Sequence, residues 1–195
     1  MIGFQDETWW SRFAQPHVHS WSPDGKPLHL VKHTPQVKEP DGKALACYGV
    51  LLRSCPQVAG EWQDAIWLRF VDGRPLSDST TQFLEWCCAK LQAQGIRVWI
   101  LVWDNALWHT SRVVKQWIRT HNRLVKQSQQ GVRIYVCPLP TKSPWLNPIE
   151  PKWVHGKRRI AEPARVLSPS ELEERVCAAL GCLLEPHLVV SNNVP

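Results

Sequence analysis

The chain lacks what several protein classes require. Its seven cysteines form no Cys-x-x-Cys pair, so a zinc ribbon has no ligands to build on. No apolar run approaches the length of a membrane span. Met1 leads straight into Ile2-Gly3-Phe4-Gln5-Asp6, without the charged and apolar regions of a signal peptide. A reducing cytoplasm with free, packed thiols and no membrane partner is therefore expected. Internal repeats and low-complexity segments are absent. Acidic residues are outnumbered, 17 against 23 Lys and Arg, which leaves a net charge of +6. That balance points to a polyanionic partner, with nucleic acid the leading candidate.

What is present fits one folded unit. A chain of 195 residues can bury one good core, and 44% hydrophobic with 21% charged is ordinary globular composition. Twelve tryptophans are not ordinary. Each has a bland role in core packing and a functional one in stacking on an unpaired base. The positive charge is concentrated in two places. Arg112, Lys115, Arg119, Arg123 and Lys126 form one group, and Lys152, Lys157, Arg158 and Arg159 form the other.

The pattern predicts a mixed α/β domain over residues 1–186 and a loose tail over 187–195. Strands are expected at Ile2 to Glu7, Ala44 to Leu52, Ile66 to Val71 and Arg133 to Pro138. The nearly continuous apolar run from Ile96 to Trp103 reads as a central strand covered on both faces. A helix from Ser77 to Gln94 has Ser77 or Asp78 as its cap and Gly95 as its stop. A second should run from Thr110 to Gln130 and end at Gly131, with Val113, Val114, Trp117, Ile118 and Leu124 inward. A third begins near Pro148. Ser168-Pro169-Ser170-Glu171 is a capping box opening a fourth, whose face is Leu172, Val176, Ala179, Leu180 and Leu183. Between Pro16 and Gly42 the chain reads as turns and short strands. His17, His19, His29 and His33 lie there without a matching Cys or acidic pattern, so zinc is not expected.

Three carboxylates stand at the ends of apolar segments. Asp6 lies in the first strand, Asp104 follows the central one, and Glu150 opens the third helix. Taken singly, each has an ordinary role as a turn or cap residue. Together they form a set that needs cations to offset its repulsion. Hard divalent ions with oxygen ligands do this and suit phosphoryl transfer.

The motif Asp104-Asn105-Ala106-x-x-His109 is followed by Leu139-Pro140-x-x-Ser143-Pro144-x-Leu146-Asn147-Pro148-Ile149-Glu150-x-x-Trp153. With Asp6-Glu7 as a first acidic motif, this resembles the catalytic core of IS630-type insertion-sequence transposases, which are similar to Tc1/mariner transposases. The resemblance runs from Ile2 to Leu184. It implies a ribonuclease-H-like mixed sheet with helices on both faces, and a DDE triad of Asp6, Asp104 and Glu150. It implies two Mg²⁺ ions, with Mn²⁺ able to substitute, and DNA cleavage followed by strand transfer. It also implies transposon ends and target DNA as partners and a homodimer assembled on DNA. The separation of Asp104 from Glu150 is longer than in the best-known members. An extended helix and loop around Asn122 to Gly131 would absorb the difference away from the site. The helix-turn-helix part that reads transposon ends in the family is absent, so an upstream reading-frame product is an expected partner.

Residues expected near DNA are His109, Lys142, Asn147, Lys152, Lys157 and Arg158. His109 can touch a phosphate, or order its loop by bonding to backbone. Lys142 and Ser143 can touch DNA backbone or remain solvated. Arg158 and Arg159 cannot share one direction on a helix. Trp153, three residues after Glu150, is expected to pack beneath the site. Two other readings stay open: a metal-dependent endonuclease without strand transfer, and a non-catalytic DNA-binding or regulatory fragment.

Overall fold

The computed structural model describes residues 1–12, 19–21, 24, 27–29, 42, 44–54, 60–61, 63–160 and 165–189. His17, His33, Cys55 and Trp62 lie outside the described residues. A five-stranded sheet forms the centre, in the order β5-β4-β1-β6-β7. β1 (Ile2–Ser11), β4 (Ala44–Arg53) and β5 (Asp64–Val71) make an antiparallel meander. β6 (Val98–Trp103) and β7 (Arg133–Pro138) add in parallel beside β1. Two short strands, β2 (His19–Trp21) and β3 (Pro27–His29), pair only with each other. The expected mixed α/β plan holds, although β1 runs on to Ser11.

Strand alternation sends successive side chains to opposite faces, and each face has its own core. On one face Tyr48, Val50, Trp99, Leu101 and Trp103 pack with Phe83 and Leu84 of α1 (Ser77–Ala93) and Val114 of α3 (Arg112–Ser128). On the other, Trp10, Cys47, Leu51 and Phe70 pack with Ile149, Trp153 of α4 (Glu150–Arg159), and Leu172 and Val176 of α5 (Pro169–Leu180). All cysteines among the described residues are free, and Cys47, Cys87, Cys88 and Cys177 are buried. Among these residues no helix is long and apolar enough to cross a membrane.

Several local expectations need correction. β6 is not covered on both faces: Val98 and Ile100 are 41% and 40% exposed. The reason is placement, because α4 packs on β1 and α5 on β5, leaving that face of β6 open. Helix α1 is capped by Leu76, whose amide is met by the Ser79 hydroxyl, and not by Ser77 or Asp78. The helix expected from Thr110 is broken at Ser111, separating the short α2 (Leu107–Thr110) from α3. The Ser111 hydroxyl accepts from the Val114 amide and caps α3. Val113 and Leu124 face solvent, and α3 stops at Gln129 in the left-handed region (φ 56°) before Gly131 is reached. Leu183 is also exposed. The chain past Pro186 is docked as far as 189: Leu188 is fully buried and bridges to Val71 on the β5 edge.

Candidate active site

The site arises where two neighbouring strands part. β1 and β6 pair only over Ile2–Phe4 and Ile100–Val102. Continuing that register puts Asp6 level with Asp104, across the split beyond Phe4 and Val102 where β1 stays with β4 and β6 with β7. The split strands the Gln5 carbonyl, and the buried Asn147 amide satisfies it at 3.1 Å. Asn147 thereby ties the loop before α4 onto β1. The Glu150 amide bonds to the Asn147 carbonyl, so the first residue of α4 arrives at the same opening. Its carboxylate also gains from the helix N-terminus. The result is a cleft of about 360 Å³ lined by Asp6, Asp104 and Glu150, with Asn105, Ala106 and the loop from Leu139 to Pro144.

Each carboxylate is held differently. Asp104 Oδ1 accepts from the Ala106 amide and from His109 Nδ1, both at 2.9 Å. The His109 bond, more than the other influences, holds its carboxyl below the usual range. Asp6 Oδ2 accepts from Trp153 Nε1 at 2.8 Å. Burial first, then the charges of Glu7 and Glu150, push Asp6 up to about 7, against the pull of the Trp153 bond. Burial also raises Glu150; Lys157 opposes this and Asp104 adds to it. The carboxylates therefore feel one another pairwise, Asp6 with Glu150 and Glu150 with Asp104. Among the described residues, no three His, Cys, Asp or Glu side chains form a ready-made metal cluster. The donor set is all oxygen, which is the chemistry hard divalent cations take.

A second layer lies beneath. His109 is fully buried, donating or accepting at both ring nitrogens: Nδ1 to Asp104 and Nε2 to Glu7 Oε1 at 2.8 Å. Its ring stacks on Trp103, with centroids 4.5 Å apart. Burial pulls its pKa down, but Glu7 and Asp104 more than offset this and raise it to about 9. The imidazolium form thus bridges two carboxylates. Gln5 Nε2 also donates to Glu7 Oε1. Trp153 occupies the space a side chain at residue 49 would need: a Cβ on Gly49, which pairs with Asp6, would lie 2.3 Å from its ring.

Residues 2–173 match the family model of the DDE superfamily endonucleases. The chain belongs to this family. The Mos1 transposase paired-end complex with left transposon end has a similar fold, with a TM-score of 0.59 and 19% identity. That match covers 92% of this chain and 47% of the other. The Mos1 Strand Transfer Complex matches at a TM-score of 0.57 and 17% identity, over 92% and 47%. The chain spans about half the length of these transposases, and at such identity the likeness is one of fold: a ribonuclease-H-like mixed sheet with helices on both faces. No curated protein sequence matches it significantly.

The other residues that sequence places near DNA in this DDE-family chain divide into four groups. Lys142 lies exposed on the cleft wall, in the left-handed region at φ 59°. Lys157 and Arg158 are exposed on α4; the Lys157 ammonium sits 5.8 Å over the Trp10 ring. Lys152 turns away and lines a separate groove with Asp64 and Trp67. His109 and Asn147 are both 2% exposed with their polar atoms engaged by protein, and Asn147 lines the cleft from within that tie. Sequence reasoning missed Glu7 as the partner of His109. The signal was its position: alternation in β1 turns Glu7 to the face opposite Asp6.

Proposed function

We propose that this chain is the catalytic core of an IS630-type insertion-sequence transposase, with Asp6, Asp104 and Glu150 as its catalytic and cation-binding carboxylates. The observation carrying this reading is the convergence of those three side chains on one cleft in a DDE-family fold. Two Mg²⁺ ions, or Mn²⁺ in their place, would supply charge stabilisation to the attacking and leaving oxygens of an in-line displacement. Water attacks the phosphorus of a donor-strand phosphodiester, and the P–O3′ bond breaks to free a 3′-hydroxyl. That hydroxyl then attacks a target-strand phosphodiester, whose own P–O3′ bond breaks, so the strands join and a target 3′-hydroxyl is released.

The chain's own residues prepare the cleft. Ala106 and His109 pin one oxygen of Asp104, and among the described residues no donor reaches the other. Trp153 pins one oxygen of Asp6. Cations held among the carboxylates would offset the burial and the mutual repulsion that raise Asp6 and Glu150. Lys142 offers a charge to DNA backbone at the cleft wall. The expected partners are transposon ends, target DNA, a second copy of the chain on DNA, and an upstream helix-turn-helix product. The catalytic domain would take in the docked segment through residue 189 and act in the cytoplasm, on the nucleoid when DNA is bound.

Plasmid nicking with Mg²⁺ and with Mn²⁺ tests the proposal, comparing the protein with Asp104→Asn. Asparagine keeps the shape and the His109 acceptor but removes the charge. The expected result is metal-dependent nicking that the variant loses. Equal nicking by both proteins would refute the assignment. Product analysis separates the readings, since only a transposase joins a 3′ end to a new strand.

A further inference from the structure

The outer face of α3 lies away from the cleft and takes no part in the chemistry above. This helix, Arg112–Ser128, contains five cations and no acid. It contributes five of the six net positive charges on the whole chain. Arg112, Lys115, Arg119, Arg123 and Lys126 are spaced by three or four residues, so at 100° per residue they fall within an arc of about 80°. All five are exposed, while Val114 and the half-buried Trp117, Ile118 and His121 face the protein. Among the described residues, none of the five has an acidic partner within ion-pair distance. Most solvated helix faces mix signs, because like charges at i and i+4 repel. Here the repulsion is left standing.

The stripe also has direction. α2 and α3 follow directly from Asp104, so the first cation lies near the cleft end of the sheet and the last near its opposite end. There the row continues into a concave groove of about 420 Å³ with Arg97, Lys126 and Arg133 on its walls and no acid among its lining residues. From Arg112 to Lys126 the helix rises about 21 Å. Duplex DNA of that length carries about twelve phosphates, one per roughly 1.7 Å of axis.

We propose that this face of α3 is a phosphate-tracking surface for duplex DNA, separate from the catalytic cleft and extending DNA contact along the opposite side of the sheet. A straight row of unpaired cations matches a linear array of phosphates, and it reads no sequence because no base edge is engaged. Choosing DNA as the polyanion rests on the family reading; the row of unpaired cations does not.

The test is binding without chemistry. Affinity for a labelled duplex of arbitrary sequence is measured by anisotropy in EDTA across a salt series. Each neutralised phosphate contributes about 0.9 to the slope of log K against log salt. The triple variant Arg119→Gln, Arg123→Gln, Lys126→Gln is expected to reduce the slope by about 2–3 and weaken binding about tenfold or more near 0.1 M salt. The double variant Arg119→Lys, Arg123→Lys should keep the slope, since charge and not shape is used. Arg74→Gln, an exposed cation elsewhere, should change it little. An unchanged slope in the triple variant overturns the proposal, as does an equal per-charge loss at Arg74. An acidic protein as the true partner would give that first result. Because this assay runs in EDTA and reads binding alone, its outcome does not depend on the nicking result for Asp104→Asn, so failure of the catalytic assignment and failure of this one are told apart.

Discussion

Asp6→Asn should make the metal-free protein more stable, even though it removes the carboxylate assigned the central role. Asp6 titrates near 7 in the fold against 3.8 for the free side chain, because burial and the nearby Glu7 and Glu150 disfavour its charge. A carboxyl raised in the folded state binds more protons there than when unfolded, so stability falls as pH rises through that window. The shift of about three units corresponds to about 4 kcal/mol above pH 7, at 1.36 kcal/mol per unit. Asparagine resembles the neutral acid and can still accept from Trp153 Nε1. The gain should therefore be close to zero below the unfolded pKa, about 2 kcal/mol at pH 5, and about 4 kcal/mol at pH 8. Urea denaturation of both proteins in EDTA at those two values reads the difference. Adding Mn²⁺ should close the gap at pH 8 by stabilising only the parent, since anything that binds the native state selectively adds to its stability. A gain independent of pH, or a variant less stable at pH 8, would refute the electrostatic account of the cleft.

Two further outcomes follow from the layer under the site. His109→Ala leaves Glu7, whose side chain is 6% exposed, without its cationic partner, and should cost about 3–5 kcal/mol in denaturant midpoints near pH 6. Because His109 is raised from 6.5 to about 9, its contribution is complete below pH 6.5 and disappears as pH climbs through 9. A parent protein and a variant that lose stability in parallel over that range would count against the bridge. Gly49→Ala forces a methyl into the Trp153 ring, for about 1–3 kcal/mol of destabilisation. A shift of the Trp153 ring would disturb its bond to Asp6, so the tryptophan fluorescence response to Mn²⁺ should change as well. An unaltered response would show that the indole does not hold that carboxylate.

Much of the architecture was legible in the chain itself. Apolar runs ending in Asp104 and Pro138, the Ser168 capping box and the stop at Gly95 are local signals, set by backbone sterics and burial within a few residues. The acidic motifs likewise identified Asp6, Asp104 and Glu150 as a set. Residue type and spacing carry chemical meaning before any folding is known.

Register and layering could not be read the same way. Only pairing across the sheet puts Asp6 level with Asp104, and only the parting of β1 from β6 creates a cleft between them. The stranded Gln5 carbonyl makes Asn147 an internal tie, which its sequence position did not reveal. Alternation in β1 turned Glu7 inward, where it bonds to His109. The same geometry left Val98 and Ile100 exposed, although an apolar run alone looks buried. Sequence encodes which groups are available, through propensity and hydrophobic period. Tertiary structure decides which meet, because the contacts of β1 with β6 and α4 join residues far apart in the chain.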